Sequence, residues 1–341
     1  MIGRGPRLNS PAGPPSLRTV HDECPAVTVV IPTRPGQAEV AAVTASRALD
    51  YPRDRLEILV ARGQQPAIQR NAALRAARGA LIYFLDDDSV PPPDNLVRAR
   101  RHFEDPAVTM VGGPNLCPAD APALEQVFAV VLGSWLAFGP SRARYDAVGP
   151  VRETSEKELI LCNLMARRDA LLAAGGFDQS LYPNEENALM DDLQKQGGKL
   201  LYDPAFFVHR RPRATLKAFA KMVMTYGRGR AEQFRLHPTP GSALNFVPPL
   251  FCLYLAALPA LLLSRLGPLP WWPLGLYGLA VLAQTLASAR RNGVARSLGA
   301  APLVVLTHLG YGGGFWRGLF TSLNRAGSRA PTEVALERIN R

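Results

Sequence analysis

Short apolar runs rich in β-branched residues alternate with helical stretches from Val27 onwards, and this alternation constrains the fold more than any other feature. Strands are predicted at 27–31, 56–61, 80–85 and 108–113, with helices at 37–49, 67–77 and 94–103. Strands that alternate with helices form right-handed βαβ units around a mostly parallel sheet. The fold class is therefore predicted to be α/β and Rossmann-like. Such sheets bind their ligands beyond the carboxyl ends of the strands.

Three aspartates follow the third predicted strand, at that carboxyl edge. In an extended segment Asp86 and Asp88 share a face, and Asp87 points elsewhere. Two carboxylates held this close are costly unless one is protonated or a cation lies between them. A hard divalent cation such as Mg²⁺ or Mn²⁺ fits, since it prefers oxygen ligands and also takes substrate phosphates. The alternative for an isolated Asp-x-Asp is a solvated turn that caps the next helix.

A second acidic pair, Glu185 and Glu186, lies about 100 residues later at a turn-to-helix boundary marked by Pro183 and Asn184. Acidic residues in a first helical turn favour the helix dipole, which is one explanation of the pair. The other explanation is that one of them is a general base.

Six motifs then occur in a fixed order. They are VVIPTR (29–34), QRNAAL (69–74), FLDDDSVPPPDNL (84–96), VGGPN (111–115), GGFD (175–178) and NEEN (184–187). On these motifs, over about residues 26–235, the chain resembles the inverting family-2 glycosyltransferases of the GT-A fold. Within that family it is most similar to the succinoglycan-type membrane glucosyltransferases, on the segments 133–145, 226–238 and 308–318.

The resemblance implies a nucleotide site at the carboxyl edge of the sheet. The residues it assigns to the nucleotide are Pro32, Thr33, Arg34, Arg70, Asn71, Asp86 and Asp87. Asp88, together with Asp86, is assigned to the metal, Mg²⁺ or Mn²⁺. The family commonly carries an acidic residue after the second strand, where this chain has Arg62 and Gly63. The nucleotide therefore stays open, with UDP favoured.

The acidic pair acquires a role from the same resemblance. Glu186 occupies the position of the family's catalytic base, which is usually an aspartate, and Glu185 is its neighbour in the catalytic pair. The tryptophan-bearing acceptor signature of processive synthases is missing. One sugar added per encounter is therefore favoured over polymerisation.

The segment 209–240 is predicted to be a basic amphipathic helix at a membrane interface. Residues 209–235 contain eight Lys or Arg and one acid, Glu232, and apolar residues recur at helical spacing on one face. The alternative is a helix packed on the catalytic domain with its charges solvated. The two interpretations can hold together.

Residues 241–325 form the predicted membrane region. Two apolar stretches, 244–264 and 270–289, are each long enough to cross the hydrocarbon core. The stretch 298–323 contains a histidine, an arginine and several glycines, and it is predicted to be re-entrant or interfacial. Because positive loops stay in the cytoplasm, the basic residues after 289 place the catalytic domain on the cytoplasmic side of the inner membrane.

The chain is thus divided into a disordered basic leader (1–25), a GT-A catalytic domain (26–208), the interfacial helix, the membrane region and a basic cytoplasmic tail (326–341). A net charge of +11 favours nucleic acid, an anionic membrane or phosphate-bearing substrates as partners. Because the apolar residues are clustered, the membrane and a phosphate-bearing substrate are the expected partners. No nucleic acid is expected.

The predicted function is metal-dependent transfer of a sugar from a nucleotide-sugar to a lipid-linked saccharide or polysaccharide precursor. A catalytically silent, membrane-anchored sugar-nucleotide binder is the main alternative. A sugar nucleotidyltransferase is less favoured, because it needs a Gly-rich phosphate loop on the first strand, and IPTRPG (31–36) is a poor one.

Overall fold

The structure is a computed structural model, and it describes residues 24–179, 181, 184–236, 238, 240–264, 267–323 and 333–339. The predicted leader lies outside these residues apart from its last two, and so do Pro183 and the first part of the predicted tail. The strands are β1 (Val27–Thr33), β2 (Leu56–Arg62), β3 (Leu81–Leu85), β4 (Val108–Gly112), β5 (Asn115–Leu116), β6 (Arg152–Glu153), β7 (Asn163–Arg167), β8 (Lys199–Tyr202), β9 (Val208–His209) and β10 (Ala335–Ile339).

The helices begin with those of the predicted βαβ units. They are α1 (Ala41–Arg47), α2 (Pro66–Ala76), α3 (Asn95–Arg100), α4 (Ala123–Leu132), α5 (Trp135–Phe138), α6 (Arg168–Ala173), α7 (Glu185–Lys195), α8 (Leu216–Leu236), α9 (Val247–Leu262), α10 (Trp272–Asn292) and α11 (Val294–Phe320).

The main sheet has the order β10-β2-β1-β3-β7-β4-β8-β6. β1 pairs in parallel with β2 and β3, and β4 pairs in parallel with β8. β7 runs antiparallel between β3 and β4, and β10 and β6 add antiparallel edges. The α/β prediction is confirmed, with a sheet that is mixed rather than uniformly parallel. The carboxyl ends of β1, β2 and β3 meet at one edge.

Helices cover both faces of this sheet. One apolar core lies between the sheet and the helices α1 and α3, and the other lies between the sheet and α2, α6 and α7. β3 is buried along its whole length, as the apolar run 80–85 predicts for a central parallel strand. The acidic segment after β3 therefore starts from a fixed point.

A third apolar cluster joins α4, α8 and α11 away from the sheet. Phe128 of α4 stacks on Phe219 of α8, with ring centroids 4.4 Å apart. α8 and α11 approach so closely that a Cβ added at Gly314 would lie 2.1 Å from the carbonyl oxygen of Met224. The apolar face predicted for the interfacial helix is thus largely covered by protein, which is the packing alternative. Lipid contact of this helix stays a prediction.

The apolar helices differ from the predicted spans in their details. Within the described residues one helical segment, Ala243–Leu262, is long and apolar enough to cross a membrane, and only 6% of its most apolar window is buried. A bent pair, Ala123–Leu132 with Trp135–Arg144, meets the same measure only as one broken span. The second predicted span corresponds to α10, which falls short of that measure. The third stretch forms one unbroken helix of 27 residues, α11. Its predicted re-entrant or interfacial placement stays a prediction.

Candidate active site

Asp86, Asp87 and Asp88 lie directly beyond the carboxyl end of β3, as predicted. Asp86 and Asp87 are half-buried and Asp88 is exposed. The backbone carbonyl of Asp87 accepts a hydrogen bond of 3.1 Å from the amide of Ala42, which ties the turn to α1. Asp86 and Asp88 present their carboxylates toward a common neighbour, which is an arginine.

That arginine is Arg210, which belongs to the segment 209–240 predicted to be the interfacial helix. Its Nη1 lies 3.2 Å from Oδ2 of Asp86, and its Nε lies 2.6 Å from Oδ1 of Asp88. The position is fixed by backbone pairing, because the amide and carbonyl of His209 bond to those of Val90 at 2.9 Å each. The two carboxylates that were predicted to hold a metal therefore converge on one cation.

This convergence is a direct test of whether the residues suit a divalent ion. Within the described part of the chain no group of three or more His, Cys, Asp or Glu side chains could hold a metal. Mg²⁺ and Mn²⁺ in nucleotide enzymes need only one or two carboxylates, because substrate phosphates and water complete the shell. Two aspartates aimed at a single cationic group fit that kind of site.

A second arginine, Arg70, connects the acidic turn to the acidic pair. Arg70 lies on α2, and its side chain is only 7% exposed. Its Nη2 is 3.1 Å from Oδ1 of Asp86, and its Nη1 is 3.2 Å from Oε1 of Glu185. Burial and the neighbouring charge of Glu186 raise the pKa of Glu185 to about 7, although Arg70 opposes that shift.

Glu186 differs from Glu185 in its surroundings. It is half-buried, and it lines the same cavity as Asp86 and Arg70. The helix α7 starts immediately after Asn184, whose φ of 97° is a left-handed conformation that is uncommon for a residue other than glycine. The side chain of Asn184 accepts a 2.8 Å hydrogen bond from Asn187, which holds the first turn that carries both glutamates.

The remaining predicted nucleotide residues are distributed less uniformly. Pro32 and Thr33 end β1 at the carboxyl edge, and Arg34 follows them on the exposed surface. Asn71 is buried, and its side chain bonds to the backbone of Phe177. Its Nδ2 donates to the Phe177 carbonyl, and its Oδ1 accepts from the Phe177 amide, both at 2.8 Å. Asn71 thus anchors the GGFD loop, and its contact with a nucleotide stays a prediction.

Gln69, which the sequence analysis did not single out, holds the edge together. Its side-chain amide donates to the carbonyl oxygens of Thr33 at 2.8 Å and Ala61 at 2.6 Å. It therefore joins the ends of β1 and β2 beneath the predicted nucleotide site. The QRNAAL motif begins with three consecutive polar residues, and all three side chains are buried in the structure. This polar run in an otherwise largely apolar helix was the sequence feature that could have indicated a structural role for Gln69.

A cavity of about 750 Å³ extends from this edge into the apolar helices. Asp86, Glu185 and Glu186 line its polar end. The aromatic and apolar residues that line the rest come from segment 133–145, α8, α9, α10 and α11, and they include Trp135, Phe138, Tyr226, Val247, Phe251, Tyr277 and Tyr311. The three segments that carried the subgroup resemblance without an assigned role thus meet in one cavity.

The mixed sheet and the acidic groups at its carboxyl edge agree with the GT-A fold that the sequence motifs imply. The chain belongs to the family described as "Glycosyltransferase like family 2", whose model matches residues 17–224. The predicted resemblance to that family is confirmed.

Two curated relatives and one solved structure support this placement. The chain is 29% identical over 200 residues to "Succinoglycan biosynthesis protein ExoA" of Rhizobium meliloti (strain 1021), covering 57% of this chain and 56% of that protein. It is 26% identical over 184 residues to "Pre-mycofactocin glycosyltransferase" of Mycobacterium tuberculosis (strain CDC 1551 / Oshkosh), covering 51% of this chain and 36% of that protein.

The similar structure is the mannosyltransferase PcManGT from Pyrobaculum calidifontis, in complex with GDP-Man and Mn²⁺. It has a TM-score of 0.52 and 17% identity, and the match covers 89% of this chain and 91% of that one. At this identity the likeness concerns the fold. The chain spans about half or less of the length of the two curated relatives, at 56% and 36%.

Proposed function

We propose that this protein transfers a sugar, with inversion, from a nucleotide-sugar to a saccharide acceptor carried on a lipid. The observation that carries the proposal is the continuous cavity. It joins Asp86, Glu185 and Glu186 at the sheet edge to apolar residues of α9, α10 and α11. A polar reaction centre that opens onto apolar helices suits a substrate with a sugar at one end and a lipid at the other.

The donor end of the proposal rests on the carboxyl edge. Asp86 and Asp88 would hold a divalent ion, Mg²⁺ or Mn²⁺, which when bound supplies charge neutralisation for a departing nucleoside diphosphate. The neighbour PcManGT is described with GDP-Man and Mn²⁺ bound, which supports a nucleotide-sugar with a divalent ion here. Thr33, Arg34 and Arg70 would contact the nucleotide at the same edge. UDP stays the favoured nucleotide, and the neighbour is described with GDP-Man.

Glu186 is the proposed catalytic base. The acceptor hydroxyl is a poor nucleophile at neutral pH, and a positioned carboxylate removes its proton as it attacks the anomeric carbon. Glu186 faces the cavity and has no ion-pair partner among the described residues. Glu185 is buried against Arg70 and is proposed to position that arginine.

Attachment to a membrane, with the catalytic domain in the cytoplasm, completes the proposal. Arg291 at the end of α10 lies 3.2 Å from Asp146, so the basic end of α10 sits beside the catalytic domain. A hairpin of α9 and α10 would place the intervening loop on the opposite side. A cysteine introduced at Leu269 should then react with an impermeant maleimide added to intact cells. Protection of that cysteine would contradict the topology.

The reaction itself is tested with radiolabelled nucleotide-sugars and membranes that contain the protein. We expect label in the lipid phase, dependent on a divalent ion. Glu186→Gln should lower transfer by roughly 10² or more while nucleotide binding persists. Glu185→Gln should lower transfer less, because Arg70 keeps its contact with Asp86.

The same assay separates the alternatives. Pyrophosphate exchange without transfer would indicate a nucleotidyltransferase, and nucleotide binding without either reaction would indicate a silent binder. Near wild-type transfer by Glu186→Gln, with no transfer by Glu185→Gln, would reverse the roles within the pair. Full activity of both variants would remove the proposed base from the mechanism.

A further inference from the structure

Two arginines line the cavity from the segments 133–145 and 226–238, which carried the resemblance to the subgroup without an assigned role. Arg144 ends the segment 133–145, and Arg230 lies on α8. Both are half-buried and both line the cavity that contains Glu186. Arg144 is tied to the start of α7, because its Nη2 donates to Oδ1 of Asn187 at 2.7 Å. The two guanidinium groups are thus held next to the proposed reaction centre.

Neither arginine has an ion-pair partner within the described part of the chain. Arg144 bonds to the carbonyl of Glu156 and the amide of Asn187, and Arg230 bonds to Oε1 of Gln233 at 3.1 Å. All these acceptors are uncharged. Burial and the positive charge of Arg144 lower the pKa of Arg230, which shows that the two cations oppose each other.

The charges that line the whole cavity show the same imbalance. Six Lys or Arg side chains and three carboxylates line it. Two of the carboxylates, Asp86 and Glu185, are already paired with Arg70 or Arg210. Glu186 is the one remaining lining carboxylate against four lining cations, and the carboxylates of Glu156 and Asp191 act on Arg230 from outside the lining. Buried cations without partners are costly, and fixed arginines bind phosphate oxygens in a bidentate manner.

We propose that Arg144 and Arg230 form a binding site for a phosphate group inside the cavity, beside Glu186. The hydroxyls of Tyr145 and Tyr226 share a hydrogen bond of 3.2 Å on the same cavity wall, and the hydroxyl that accepts it keeps its own proton to donate to the phosphate. The site deepens the proposed function and rests on it, because both substrates of that reaction carry phosphate. The phosphate belongs either to the nucleotide-sugar or to the group that links the acceptor saccharide to its lipid.

The test uses the full chain in lipid nanodiscs with four probes: UDP, GDP, farnesyl diphosphate and uncharged farnesol. The variants are Arg144→Gln and Arg230→Gln, with Arg230→Lys as a milder change. Arg142→Gln and Arg228→Gln are matched controls. Each removes the same charge two residues away, from a side chain that does not line the cavity.

We expect each variant to lower the affinity for one class of phosphate probe by roughly tenfold or more, the effect of losing a charged hydrogen bond. A loss for farnesyl diphosphate alone assigns the site to the acceptor lipid. A loss for UDP and GDP alone assigns it to the donor. Farnesol affinity and the controls should stay within about twofold of wild type. Arg230→Lys should retain part of the affinity, because it keeps the charge and loses the planar fork.

Unchanged affinity for all phosphate probes in both variants would overturn the proposal. An equal loss of farnesol binding would also overturn it, because the cavity itself would then have collapsed. These outcomes do not depend on catalysis. Unchanged phosphate binding by the variants, combined with normal sugar transfer by the wild type, would refute the site alone. Lost phosphate binding by the variants, combined with no sugar transfer by the wild type, would refute the reaction alone.

Discussion

Replacement of Arg210 by glutamine should increase the affinity of the protein for Mn²⁺. In the structure the Arg210 guanidinium occupies the position between Asp86 and Asp88 that a divalent ion would take, at 3.2 and 2.6 Å from their oxygens. A metal that uses both carboxylates must displace it. Glutamine keeps a similar length and removes the charge.

The size of the effect follows from the two ion pairs. The side chains of Arg210 and Asp86 are 22% and 26% exposed, whereas Asp88 is 51% exposed, so solvent weakens the contact with Asp88. The two contacts are intermediate between buried charged hydrogen bonds and exposed ion pairs, so together they stabilise the bound guanidinium by about 1–2 kcal/mol. Removal of that competition should tighten Mn²⁺ binding by roughly 5–30-fold.

The assay is a titration of Mn²⁺ followed by electron paramagnetic resonance, on the full chain in detergent without nucleotide. Arg213→Gln is the control, because it removes an equal charge three residues away and lines the same cavity without an ion pair among the described residues. It should change the affinity by less than about threefold. Weaker or unchanged Mn²⁺ binding by Arg210→Gln, or an equal gain in the control, would refute the reasoning.

Three further predictions concern the site and its support. Asp88→Ala should abolish the part of nucleotide affinity that depends on Mn²⁺ or Mg²⁺, measured with and without chelator; identical affinities with chelator in variant and wild type are expected. Gly314→Ala should lower the apparent unfolding temperature, at a cost of about 1–3 kcal/mol for the clash with the carbonyl of Met224, whereas Gly313→Ala, with open space around it, should be neutral or stabilising. Burial and the charge of Glu186 raise the pKa of Glu185 from 4.5 to about 7 in the folded state. The contribution of Glu185 to the free energy of unfolding is therefore fully present below about pH 4.5, and it is lost as the pH rises through about 7. The free energy of unfolding of Glu185→Gln should therefore depend less on pH between pH 5 and 8 than that of the wild type. Equal slopes of this free energy against pH would contradict the raised pKa.

The α/β half was predictable because strand and helix periods are local properties. β1 to β4 begin within one residue of the predicted positions. β7 was missed as a sheet member, since its insertion between β3 and β4 is a long-range pairing that no local pattern specifies. The mixed character of the sheet follows from β7 together with the antiparallel edge strands β6 and β10.

The site was predictable where it depended on the order of motifs along the chain. Asp86 and Asp88 lie at the carboxyl edge of the sheet, and Glu186 lines the same cavity as Asp86, as expected. Their roles stay predictions. Arg210 could not be assigned, because a basic run after a short strand carries no sign of which carboxylate it reaches. The contact of Asn71 with the loop at Phe177 was not foreseen, because a motif position does not show whether a side chain faces a ligand or a neighbouring loop.

Segment 133–145 shows a similar limit. Its sequence lies within the predicted catalytic domain, yet the backbone amide of Leu136 bonds to Gln284 of α10 at 3.2 Å, and its carbonyl bonds to His308 of α11 at 2.8 Å. Apolar character alone did not reveal which half of the protein it would join, because both halves offer apolar surfaces.

β10 has a consequence for how the protein is made. It covers the edge of β2, and the side chain of Glu337 bonds to Arg62, a residue 275 positions earlier in the chain. The sheet therefore acquires its last strand only after the apolar helices have left the ribosome. A fragment that stops at Phe320 would leave unpaired those backbone groups of β2 that face away from β1, and bare edges of this kind recruit other chains into aggregates. A soluble form of the catalytic half is best sought by joining residues 333–339 directly behind the sheet domain, so that β2 keeps its neighbour when the helices are removed.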